Sequence, residues 1–179
     1  MLARKIILVA ALLLSVAFVG PTQVAMSSVD VNVTANPLWT DTGLSVTDGE
    51  AIIITAFGLW TFHEPDNLCD PNGIYGGGSD EFLNNGAVAM LIAFVGPDPY
   101  QGDRWGTHFF PQDSNYWGIG SSGHFISDKA GELWLGFNDD AVSKNITDNN
   151  GSVTAHISTV AAGDCVPVII YVEDRKSVV

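Results

Sequence analysis

Two runs of strict apolar alternation, Leu133-Leu135-Phe137 and Val153-Ala155-Ile157, flank a loop crowded with oxygen-bearing side chains: Asn138, Asp139, Asp140, Asp148, Asn149 and Asn150. A period of two sends apolar side chains to one face of an extended strand and polar ones to the other, so each run has one face to lay on a core. The pattern recurs along the chain. Val29–Thr34 alternates, Ala51–Phe57 is β-branched and runs on to Phe62, and Ala87–Val95 is almost continuously apolar and reads as a buried strand. His124–Ser127, Glu132–Phe137, Ser152–Ser158 and Val166–Glu173 add further strands, while His63–Gly86 and Gly96–Gly123 read as long loops. Beyond the first twenty residues nothing sustains a helical period. Short strands separated by Gly, Asn and Asp turns predict an all-β fold, an antiparallel β-sandwich of the jelly-roll kind.

With 179 residues, 46% of them hydrophobic, the chain suits one domain with a substantial core. Arg4 and Lys5 precede an apolar run from Ile6 to Val19, the layout of a secretory signal and short of the roughly 20 residues that a membrane span needs. Small residues offer cleavage after Ala17 or after Ser27. The expected organisation is therefore a signal peptide over 1–27 and a single sandwich domain over 28–179, secreted or displayed at the cell surface. Losing Arg4 and Lys5 moves the formal charge from −13 to −15, five basic residues against twenty acidic. Such a chain repels phosphate backbones and anionic lipid, so neither nucleic acid nor membrane is an expected partner of the processed protein. In an oxidising compartment Cys69 and Cys165 form one candidate bridge.

Calcium takes six to eight oxygens from carboxylates, amides, main-chain carbonyls and water, and the loop between Asn138 and Asn150 is rich in such donors. It lacks the register of an EF-hand. An ordinary polar hairpin loop, its Asx side chains capping their own turns, accounts for the same residues equally well. Glu132 with Asp139 or Asp140 could form a glycosidase pair, although nothing in the sequence fixes their separation, and the chain is expected not to be an enzyme. His63, His108, His124 and His156 show no metal-ligand spacing. The aromatic residues of Trp105–Phe110 and Tyr116-Trp117 suit the core better than a sugar platform, whereas Trp60 and Trp134 are the rings expected to line a site.

From Val29 to Ser158 the chain resembles the LecA-like (PA-IL type) galactose-binding lectins. The resemblance is carried by Asn138-Asp139, Asp148-Asn149 and Asn150-Gly151-Ser152 in the loop, and by GEAIIITAFGLWTF, DPNG and GAVAMLIAFVG upstream. It implies that Asp139, Asp148 and Asn149 hold calcium through side-chain oxygens, with main-chain carbonyls near Asn145 and at Phe62. Asp139, Asp140, Asp148, Phe62 and Trp60 would then face a galactose-like hexose whose vicinal hydroxyls complete the coordination. The loop is two residues longer than the family pattern, Phe62 stands where the family has Tyr, and Gly76-Gly77-Gly78-Ser79 replaces a sugar-contacting His-Pro-Asp-Gln run. The expected function is a calcium-dependent carbohydrate-binding protein. The alternative is an exported structural or filament subunit that uses the loop for rigidity and assembles as a homo-oligomer, Val166–Glu173 pairing with its own sheet or with a neighbour's.

Overall fold

The computed structural model describes residues 26–62, 67–74, 82–83, 86–99, 116–139 and 146–163. Their strands are β1 (Met26–Thr34), β2 (Trp39–Val46), β3 (Ala51–Thr61), β4 (Leu68–Cys69), β5 (Leu91–Val95), β6 (Tyr116–Gly118), β7 (Ser122–Ile126), β8 (Gly131–Phe137) and β9 (Asn150–Val160), with a 3₁₀ turn at Ile146–Asp148 before β9. One sheet runs β1-β9-β3-β4, with β7 also on β3, and the other runs β2-β8-β5-β6; every pairing is antiparallel. The fold is an all-β sandwich, as the alternation requires.

The two runs that flank the oxygen-rich loop lie in different sheets. On β9, Val153, Ala155 and Ile157 stand opposite Gly58, Ala56 and Ile54 of β3. Across the interior they meet β8, whose Leu133, Leu135 and Phe137 are opposite Val95, Ala93 and Leu91 of β5. The bulky members of this set are almost completely buried, each contributing roughly 1.5–3 kcal/mol of transfer free energy. Trp117 closes the interior by stacking on Phe125 at 4.2 Å. On the outer face of the second sheet Trp39 lies flat over Gly136, where any Cβ would collide with its ring. Phe82, Phe94 and Tyr116 pack around it edge-on or tilted, 5.2–6.2 Å between centroids. The aromatic residues thus serve burial, as expected for Tyr116 and Trp117.

Four expectations change. The stretch between Thr34 and Ala51 carries a strand, β2, whose apolar residues do not share a face: Trp39 stands opposite Gly136 on the outer side and Leu44 opposite the inward Leu133, with a bulge that holds Gly43 at φ +70 between them. Of Ala87–Val95 only Leu91–Val95 pairs as a strand, because Ala89 takes φ +63 and turns the chain under Trp60. Tyr116–Gly118, read as irregular, forms β6. The first strand, read from Val29, begins at Met26: Met26 and Ser27 are rungs of β1 opposite Val160 and Thr159, and the Ser27 hydroxyl lies 2.9 Å from that of Thr159. The expected strand at Val166–Glu173 lies outside the described residues.

Of the expected bridge, Cys69 lies on β4 opposite Trp60 and carries a free, buried thiol, while Cys165 lies outside the described residues.

Candidate functional site

The ends of three strands meet on one side of the sandwich: β3 finishes at Thr61 and Phe62, β8 runs out into Asn138 and Asp139, and β9 starts at Asn150 directly after Asp148 and Asn149. Two glycines bring the backbones of β3 and β9 together just beneath. Gly151 (φ +92) sits against the Leu59 carbonyl and Trp60 Cα, and Gly58 (φ +129) against Ser152 and Val153; at each, a Cβ would lie within 2.9 Å of backbone. Below them Trp60 is completely buried, donates through Nε1 to the Ala89 carbonyl at 2.9 Å and meets Phe137 edge-on at 4.7 Å. It is a floor of the site.

Asn138 is the pin. Completely buried, it accepts from the Leu83 amide through Oδ1 (2.9 Å) and donates through Nδ2 to the carbonyls of Ala87 (2.9 Å) and Leu83 (3.4 Å). Its main chain bonds Met90 and Ala89. With both ends of the amide engaged, Asn138 belongs to the scaffold, and the ring of oxygens suggested by the sequence starts at Asp139.

Asp139 is half-buried and accepts a hydrogen bond from Asn149 Nδ2 at 2.8 Å. A carboxylate only accepts, so it fixes the amide with nitrogen toward Asp139 and oxygen away. That oxygen, Asn149 Oδ1, is buried without a hydrogen-bond partner on a side chain that is 5% exposed, and Thr61 Oγ1, on the residue opposite Asn150, is likewise buried and unpartnered. Buried acceptors left unmatched cost about 1–3 kcal/mol each. Asp148, half-buried, closes the 3₁₀ turn next in chain to Asn149. Among the described residues no three His, Cys, Asp or Glu side chains gather as a metal cluster; a cation here would need amide, hydroxyl and main-chain oxygens beside the aspartates. The donor set, all oxygen, suits a hard ion such as calcium.

No protein-family model matches this chain, and no curated protein does. Among solved structures it is similar to the EclA N-terminal domain, a PllA-like lectin. The two share 21% identity over 73% of this chain and 92% of that one, at a TM-score of 0.47.

Among the expected site residues, Asp139 and Asn149 are in contact, Asp148 adjoins Asn149, and Phe62 adjoins Thr61, which pairs with Asn150. The Phe62 ring packs on the core, leaving its main chain as the contribution it can make. Asp140 and Asn145 lie outside the described residues. Trp60 does not face a ligand: its place on the inner face of β3 buries it. Trp134 points from the outer face of the second sheet to the Gly96 carbonyl at 3.0 Å, toward the opposite end of the molecule. Glu132 is exposed at that opposite end, bonded to the Ser45 hydroxyl at 2.7 Å. Seven residues of extended chain put it about 20 Å from Asp139, beyond the roughly 5–9.5 Å that a glycosidase pair spans. Thr61 is the residue the sequence did not single out, because no pattern tells which hydroxyl at a strand end is buried without a partner.

Proposed function

We propose that this chain is an exported calcium-dependent carbohydrate-binding protein whose site is the junction of Asp139, Asp148 and Asn149. The observation that carries the reading is the orphaned Oδ1 of Asn149, buried and turned away from the carboxylate that its own nitrogen holds. Side-chain oxygens of Asp139, Asp148 and Asn149 would hold the ion, with the Phe62 carbonyl and a carbonyl near Asn145. When bound, calcium supplies open positions at which water is exchanged for vicinal hydroxyls of a hexose. The chain's own part is orientation. Asn149 Nδ2 fixes one Asp139 oxygen, Asn138 pins the strand end that carries Asp139, and the Trp60 floor keeps the end of β3 in place. Asp139 would then accept a hydrogen bond from a sugar hydroxyl and so help select the hydroxyl pair, the role that the resemblance also implies for Asp140. Cleavage after Ala17 leaves β1 whole.

Titration calorimetry tests this directly. Calcium binds the parent protein, galactose or another hexose gives saturable heat only with calcium present, and a chelator abolishes that heat. Asn149→Ala weakens calcium binding at least tenfold while the far-ultraviolet spectrum stays that of the parent. Absence of calcium binding, or sugar binding indifferent to the chelator, overturns the proposal.

A further inference from the structure

We propose that two copies of this chain join edge to edge through β1, making one continuous sheet from two five-stranded ones. A sheet edge carries unpaired N–H and C=O groups, and proteins usually blunt it with short strands, bulges, proline or lysine. The other edges here are blunted: β2 is bulged, β4 has two residues, β6 three and β7 five. β1 has nine residues in unbroken register with β9, contains neither Pro nor Lys, and among the described residues no strand pairs with its other side.

The phase of its hydrogen bonds defines what that open side offers. The Ala35 amide donates to the Gly151 carbonyl at 3.1 Å, which extends the ladder one rung past Thr34 and Ser152 and marks Ala35 as a bonded position. Bonded and non-bonded rungs alternate in an antiparallel pair. Val33, Val31 and Val29 therefore bond β9, while Ser28, Asp30, Asn32 and Thr34 turn their N–H and C=O groups to the open edge. A second copy supplies the same set in the same phase, which an isologous two-fold contact requires.

Charge selects the register. An axis on Asp30 would set two carboxylates face to face, a destabilising cross-strand pair. An axis on Val31 sets Asp30 opposite Asn32 of the second copy and Ser28 opposite Thr34 of the second copy. All four outward residues are then matched, and the Asn32 amide can donate to Asp30. Asp30 already faces His156 at 2.7 Å on the same sheet surface, so it does not stand as an isolated charge. Val29 and Val31, half-buried at the rim of the core, gain cover. If the calcium-site reading also holds, the dimer has a functional consequence that rests on it. Thr34 is at the site end of β1, so antiparallel pairing puts the two sites at opposite ends of the joined sheet, suited to linking two glycan-bearing surfaces.

Sedimentation equilibrium on the full mature chain, without any sugar, tests the pairing independently of that reading. The expected result is a dimer mass. Asn32→Pro removes an outward N–H from each copy while sparing the bonds to β9, and weakens the dimer roughly thirtyfold at the usual worth of two hydrogen bonds. Val31→Cys provides the second arm. Opposed non-bonded residues have Cα atoms about 4.5 Å apart, within disulfide range, so oxidation links the copies through residue 31, as identified by peptide mass spectrometry. A monomer at every concentration, a dimer unmoved by Asn32→Pro, or the absence of a 31–31 link overturns the proposal.

Discussion

At the scale of the residue, the difference between Asn138 and Asn149 is one of matching. Both are buried amides at strand ends facing the same loop. Asn138 satisfies Leu83 and Ala87 with both of its ends, whereas Asn149 spends its nitrogen on Asp139 and leaves its oxygen unmatched. Asn138→Ala should therefore cost about 1–3 kcal/mol, since it strands the half-buried Leu83 amide and Ala87 carbonyl; urea unfolding in calcium-free buffer measures it. Asn149→Ala, which removes its own orphan, should cost clearly less in that buffer. Cys69 makes a pH prediction. Burial, with a smaller effect from the Asp70 charge, raises its pKa from 9.0 to about 11. The fold thus holds the thiol proton more tightly than the unfolded chain does, so this contribution to stability is fully present below pH 9.0 and is lost as the pH rises through about 11. Urea midpoints should fall across that window in the parent and fall less in Cys69→Ala.

At the scale of the element, β3 and β9 decide the site. Their eleven-rung pairing sets Trp60 against Gly151 and Thr61 against Asn150, and the two glycines let the strands close to contact. Gly151→Ala places a Cβ 2.8 Å from the Leu59 carbonyl at a φ that L-residues rarely adopt. It should destabilise by at least about 1–2 kcal/mol and weaken calcium binding by shifting Asn149, which thermal melts and calorimetry on the same variant can check. The long strand β3 was legible because its β-branched run, Ile52-Ile53-Ile54-Thr55, favours extended backbone. β2 was not, because its apolar residues do not share a face: Trp39 covers Gly136 on the outer side, whereas Leu44 stands opposite the inward Leu133. In the first half of Ala87–Val95 apolarity reports burial and not a strand, since Ala89 is buried beneath Trp60 in a turn.

At the scale of the whole molecule, ligand binding and folding share one free energy. An ion that binds only the folded chain stabilises it by about 2.7 kcal/mol at a hundredfold excess over its dissociation constant. Calcium should therefore raise the melting temperature of the parent protein, a chelator should reverse the rise, and Asn149→Ala should show little of it at the same calcium concentration. A melting temperature indifferent to calcium would count against the site at Asp139, Asp148 and Asn149. The formal charge of −13 acts in the same direction, since an acidic surface concentrates cations around the molecule.

The sequence alone determined the class of fold, the faces of the regular strands and the loop where oxygens gather, because period-two alternation and Asx-Gly turns are local consequences of backbone geometry. It did not determine which of those oxygens already have partners, nor that Trp60 lies beneath the site or that Glu132 lies at the far end from Asp139. Those are relations between residues far apart in the chain. They were decided only when β8 and β9, neighbours in sequence, went into opposite sheets and left their loop to bring Asp139 and Asn149 together.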